Sequence, residues 1–169
     1  ATVMGLGGAP VNASTGSTRA VLVLVGSLRA ASVNRQLAEL AAETAPAGVD
    51  LRVFDRLGDV PIYNEDLDTE NVPHPVAALR EAAADADATL VVTPEYNGSI
   101  PGVLKNAIDW LSRPFGDGAV KGKPGAVVGV SGGRYGGRWA HDETRKVLGI
   151  AGAEMIEDID LSLPVTKLG

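Results

Sequence analysis

Two short polar stretches carry the residues with the most chemical potential in this chain. The first, GSLRAASVN at residues 26–34, places Ser27, Arg29, Ser32 and Asn34 directly after the aliphatic run AVLVLV at residues 20–25. Short hydroxyl and amide donors beside a full positive charge suit an anion. The unpaired N–H groups of a helix start would add partial charge of the same sign. Gly26 permits the sharp turn that such a start needs. The second stretch, PEYNGSIPG at residues 94–102, follows the run ATLVVT at residues 88–93. Its Asn97-Gly98 pair is a turn signal, and Pro94 and Pro101 stiffen the backbone on either side. A backbone held in this way can aim its amides, and the ring of Tyr96, at a flat heterocycle. Tyr96 also reads as a packing aromatic with its hydroxyl at the surface.

The first stretch has neither the Gly-Lys-Ser/Thr ending of a Walker loop nor the three-glycine dinucleotide spacing. One phosphate therefore suits it better than a pyrophosphate or a triphosphate. Its other reading is an ordinary helix cap at Ser32, against which stands Arg35 where a capping box needs Glu or Gln. Taken alone, Glu95 reads as a solvated loop carboxylate. A third loop, SGGRYGG at residues 131–137, carries Arg134, with Arg138 just after it. Gly129 to Gly133 also fits the G-x-S-x-G pattern of a serine hydrolase with Ser131 as nucleophile. The order of partners then fails, because the only later histidine is His141 and no histidine follows Asp158 or Asp160. His74 and His141 read as surface or packing residues.

The elements that must position these loops are legible from periodicity. Residues 20–25, 88–93 and 125–130 are apolar at nearly every position, as strands covered on both faces are. Residues 49–55 alternate, which suits a sheet edge. Helical spacing recurs after residue 33, after Pro75, through Val103, Leu104, Ala107, Ile108 and Leu111, and over 138–150. A weak strand is expected near 153–160. Strand and helix alternate throughout, so the expected object is a three-layer α/β sandwich around a parallel sheet. Ligands in such sheets bind at the carboxyl ends of the strands where the winding reverses. Residues 56–74 show no period and are too long for an idle connection, so they are expected to serve a site or an interface.

Composition narrows the classes. The chain has 169 residues and a formal net charge of -6, which opposes broad binding to nucleic acid or anionic lipid. It has no cysteine, and its histidines lack ligand spacing, so no metal is expected. No apolar run approaches the roughly 20 residues of a membrane-spanning helix. Residues 1–19, rich in Gly, Ser, Thr and Ala, read as a flexible leader before one domain at 20–169.

GSLRAASVNRQLA, PIYNEDL, PEYNGSIPGVLKNAIDWLSRP and SGGRYGG, taken in that order from about Val21 to Leu163, resemble the successive motifs of the NADPH-dependent FMN reductase family. The resemblance implies a flavodoxin-like, five-stranded parallel sheet of order 2-1-3-4-5. It implies FMN phosphate held by Ser27, Arg29, Ser32 and Asn34, and the isoalloxazine against Pro94, Glu95, Tyr96, Asn97 and Gly98, with Ser131 and Gly132 at its edge. NADPH or NADH would reduce the flavin, and a small acceptor such as a quinone, free flavin, azo dye or chromate would reoxidise it in a ping-pong cycle, with no side chain assigned as proton donor. A cytoplasmic homodimer or tetramer is expected, with helix 102–112 in the contact and Trp110 either there or in the core. Arg134 and Arg138 are candidates for a 2′-phosphate. Lys105 and Asp109 read as an exposed ion pair worth about 0.3–0.5 kcal/mol. Family members usually run on into a last helix beyond the fifth strand, which this sequence does not contain. A flavodoxin-type electron carrier without nicotinamide activity is the competing class.

Overall fold

A computed structural model describes residues 17–159 and 161–167. Most of the proposed leader therefore lies outside the described residues, and strand β1 already begins within it, at Arg19–Val25. β1 pairs in parallel with β2 (Val49–Phe54) on one side and with β3 (Ala88–Val92) on the other. β3 pairs with β4 (Pro124–Ser131), giving the order β2-β1-β3-β4 and then β5. The alternating strand is the edge one, and the uniformly aliphatic ones are interior, as burial on one or two faces requires.

The fifth position departs from expectation. Where one strand is expected at 153–160 there is only the short β5 (Glu154–Met155) beside Pro124 and Gly125, and a second short strand, β6 (Leu161–Pro164), follows it beside Val128 to Ser131. Glu157 and Asp158, both exposed, fall in the break. Charged side chains hold that stretch in solvent, and the ladder resumes only at Leu161.

Helix α1 (Val33–Glu43) covers one face of the sheet, with Ala38 packed on Val23, Val25 and Val92. Beside it an apolar groove of about 240 Å³ runs over Val21, Leu51, Leu90, Ala126 and Ile156. Helices α2 (His74–Ala84), α3 (Gly102–Leu111) and α4 (Arg138–Ile150) cover the other face and close the larger core around Leu22, Leu24, Leu79, Leu104, Val127 and Leu148. This is the three-layer, flavodoxin-like sandwich.

The long segment 56–74 is strapped to α3. The Asn106 side chain accepts from the Tyr63 N–H at 2.8 Å and donates to the Pro61 carbonyl at 2.9 Å, while Trp110 Nε1 donates to the same carbonyl at 2.8 Å. Tyr63 meets Trp110 edge to face at 4.8 Å, and the Arg80 guanidinium lies 5.5 Å above the Trp110 ring. Arg80 is itself held by Asp68 at 2.9 Å. Trp110 is fully buried, which selects the core from its two readings: its ring fills the core and its one donor fastens the strap. Trp110→Ala should lower stability by about 3–5 kcal/mol in urea unfolding, and segment 56–74 should become the first region open to limited proteolysis.

Candidate functional site

Three loops meet where β1, β3 and β4 end. At the first, the Gly26 N–H bonds the Val92 carbonyl at 2.9 Å, and a Cβ at Gly26 would run into the Thr93 hydroxyl. Only glycine lets β1 and β3 remain this close as they diverge. Ser27 follows, 6% exposed and with no side-chain hydrogen bond to another described residue, and Arg29 is exposed beyond it. Ser32 is the N-cap of α1, its hydroxyl accepting from the Arg35 N–H at 3.4 Å. The capping reading of Ser32 therefore holds even without a capping box, and the same residue also lines the cavity described below. Among the described residues, no backbone hydrogen bond takes up the N–H groups of Ser27 to Ala31, or those of Val33 and Asn34 in the first turn of α1.

Asn34 does something the sequence did not reveal. Its Nδ2 donates to the Val130 carbonyl at 2.7 Å and its Oδ1 accepts from the Val130 N–H at 2.8 Å, both buried. It ties the start of α1 to the end of β4.

In the second loop, the N–H groups and carbonyls of Tyr96 and Ser99 bond each other at 3.0 and 3.1 Å across a two-residue hairpin. Asn97 and Gly98 sit at its tip with φ of 54° and 74°, the positive values that such a tight turn demands. Glu95 turns away from the tip. Its Oε2 accepts from the N–H groups of Trp139 and Ala140, at 3.0 and 3.2 Å, in the first turn of α4. The Glu95 N–H donates to Ser131 Oγ at 3.4 Å.

These loops enclose one cavity of about 200 Å³. The first loop gives it Ser27, Arg29, Ser32 and Asn34, the second Pro94, Glu95 and Tyr96, and the third Ser131 and Gly132. Asn97 and Gly98 stand outside its wall, at the exposed turn. Val165 joins the wall from the turn after β6, and no local signal marks it because it lies beyond the expected last strand at 153–160. Also unforeseen are two exposed aromatics, Tyr135 and Trp139, whose rings lie 5.8 Å apart. Arg134 lies 5.8 Å over Tyr135, and Arg138 opens α4.

The Ser131 hydroxyl accepts from Glu95, and no described hydrogen bond joins it to His141. The His141 ring, fully buried, meets Ser162 Oγ at 2.7 Å and the Thr93 carbonyl at 3.4 Å. The hydrolase geometry is not built. The first loop is instead a cradle of donors with no carboxylate of its own, which fits a phosphate ester, and the rigid hairpin fits one edge of a planar ring.

The family model for NADPH-dependent FMN reductases matches residues 19–166. The chain belongs to that family. A quinone reductase of Pseudomonas putida is 48% identical over 76% of this chain and 68% of its own length. A 2-hydroxy-1,4-benzoquinone reductase of a Burkholderia species is 46% identical over 75% of this chain and 68% of its own length. Among solved structures, the flavoenzyme NAD(P)H:(acceptor) oxidoreductase FerB of Paracoccus denitrificans superposes with a TM-score of 0.80 at 38% identity, covering 86% of this chain and 79% of that one. The chain is thus an oxidoreductase of the FMN-dependent, NAD(P)H-using kind.

The role of Asn34 can be read without cofactor. Asn34→Ala should lower the stability of the flavin-free protein by about 2–4 kcal/mol in urea unfolding, since two buried backbone groups lose their partners. Asn34→Asp should do no better, because it sets a second acceptor against the Val130 carbonyl. A residue that served only a ligand would leave this stability unchanged.

Proposed function

We propose that this chain reduces small planar acceptors, quinones foremost, with electrons drawn from NADPH or NADH through bound FMN. The observation that carries the reading is the meeting of three loops at one cavity, one lined with unpaired donors and another a stiff turn. The names of the quinone reductases that it resembles support the acceptor class. Ser27, Ser32, Arg29 and the free amides at the start of α1 hold the phosphate, where hydrogen bonds and the helix dipole act together. Asn34 holds the loop in shape. Pro94 and Tyr96 bound the ring, the turn of Asn97 and Gly98 holds Tyr96 in place from outside the wall, and Ser131 and Gly132 lie at the ring's edge. Bound there, FMN would supply two-electron redox chemistry between the nicotinamide and the acceptor. The chain's own residues bind and orient it. Arg134, in the third loop, and Arg138, which opens α4, are the candidate partners of a 2′-phosphate.

Free flavins, azo dyes and chromate belong to the same range of acceptors. A homodimer, itself able to pair into a tetramer, is part of the proposal. It is supported by the exposed Phe115 and Ile150 at a cavity of about 200 Å³ between the ends of α3 and α4, with the ion pair of Lys105 and Asp109, 2.6 Å apart, at the rim. A cytoplasmic place follows from the donor, since that is where reduced nicotinamides are held. No helix among the described residues is long and apolar enough to cross a membrane.

Anaerobic titration of the FMN-loaded protein with NADPH and NADH should bleach the flavin absorbance rapidly, and an added quinone should restore it. A flavodoxin-type carrier would stay yellow. Arg29→Ala should weaken FMN binding about tenfold or more, the worth of one charge-assisted hydrogen bond, while riboflavin, which lacks the phosphate, changes less than about twofold. Fluorescence quenching of the two flavins measures both.

A further inference from the structure

The starts of α1 and α4 each follow a loop that lines the cavity, and they are built differently. α1 has Ser32 at its N-cap and leaves its first amides open. α4 has Gly137 at its N-cap, with φ of 92° and no side chain to offer, and its first-turn amides are taken by a carboxylate that lies 44 and 45 positions earlier in the chain. That carboxylate belongs to Glu95, whose own N–H is bonded to Ser131 at the end of β4. One residue of the second loop thus grips the third loop at both ends. Glycine suits position 137 because its φ of 92° is one that L side chains rarely adopt, and a Cβ there would also lie a tight 3.3 Å from the Ser131 Cβ. On the far side of the hairpin the Ser99 hydroxyl donates to Glu143 of α4. The turn that carries Tyr96, Asn97 and Gly98 is therefore fastened to α4 before and after its tip.

We infer that Glu95 is a positioning residue, which fixes the second loop against the third and so sets the slot that receives the flavin ring. The inference rests on the flavin reading above and deepens it. Glu95 has no part in holding the phosphate: its carboxylate occupies the positive end of α4, so of the two helix starts only that of α1 is left open to an anion. Loss of the tie then has a signature of its own. Loosening the ring slot weakens FMN and riboflavin by the same factor, whereas damage to the phosphate cradle weakens FMN alone.

The test compares Glu95→Ala and Glu95→Gln with the wild type in two measurements. Hydrogen exchange on the flavin-free protein follows the Trp139 and Ala140 amides, and fluorescence quenching gives dissociation constants for FMN and riboflavin. Glu95→Ala should speed exchange at both amides by about tenfold and weaken both flavins by a common factor of about five to ten, the worth of a lost helix cap. Glu95→Gln, whose amide oxygen still accepts, should recover most of both. Unchanged flavin affinity in Glu95→Ala, or a loss confined to FMN, overturns the inference. If Glu95→Ala does not fold, Ser99→Ala cuts the neighbouring tie: a common loss for both flavins supports the inference, and wild-type riboflavin affinity overturns it. A wild type that binds neither flavin overturns the functional reading and this inference together, an outcome distinct from normal wild-type binding that the variants leave untouched.

Discussion

A parallel sheet brings every strand's carboxyl end to one rim, and the site depends on what happens there between β1 and β3. These two strands are paired as far as Val25 and Val92, yet the chain leaves β1 for a helix on one face and β3 for a helix on the other. The two exits diverge, and the opening between them cannot be filled by either helix. Right-handed crossovers force this reversal wherever winding changes direction. The cavity at the ends of β1, β3 and β4 is a consequence of topology before any side chain lines it.

Electrostatics then makes the opening selective. The chain as a whole is acidic, with a formal net charge of -6, so attraction for an anion has to be local. It comes from the start of α1, where open amides, two buried serines and Arg29 converge; the one acidic residue lining the same cavity, Glu95, belongs to the second loop. The start of α4 would offer a second positive end, but there the Glu95 carboxylate lies on the amides. The site is therefore polarised, with an anion-seeking corner at the first loop and a neutralised wall at the third. A molecule with a phosphate at one end and an uncharged plane at the other matches that polarity.

The sequence displayed the fold and the loops far better than it displayed the fastenings. Strands made of Val, Leu and Ala at every position announce burial on both faces, and an Asn-Gly pair between prolines announces a rigid turn, because both signals are local. The last strand is harder to place, because Glu157 and Asp158 interrupt the ladder and the pairing resumes only at Leu161, beyond the stretch 153–160 whose composition suggests a strand. Asn34, Glu95 and Asn106 were harder. Their partners Val130, Trp139 and Pro61 are 96, 44 and 45 positions away, so nothing near them in the chain says whether they meet solvent, ligand or backbone. Trp110 presented the same problem: a large amphipathic ring suits an interface as well as a core until the carbonyl that its N–H meets is known.

Asn34 and Asn106 show why the chain places amides in these buried positions at all. Along a strand, residues two apart present their N–H and C=O to the same neighbour. The Val128 carbonyl is bonded by Thr93, so Val130 faces the same side, where β3 would continue if it ran on. It does not, because the chain has already turned off at Pro94 to form the second loop. An aliphatic residue at position 34 would leave two buried backbone groups bare, and such groups are nearly always paired in native structures. The asparagine amide carries a donor and an acceptor side by side, as a peptide group does, and stands in for the missing strand. Asn106 does the same for Tyr63 and Pro61 in the irregular strap over α3. The departure of β3, which opens the site, is possible because a side chain from α1 takes over the hydrogen bonds that β3 gives up.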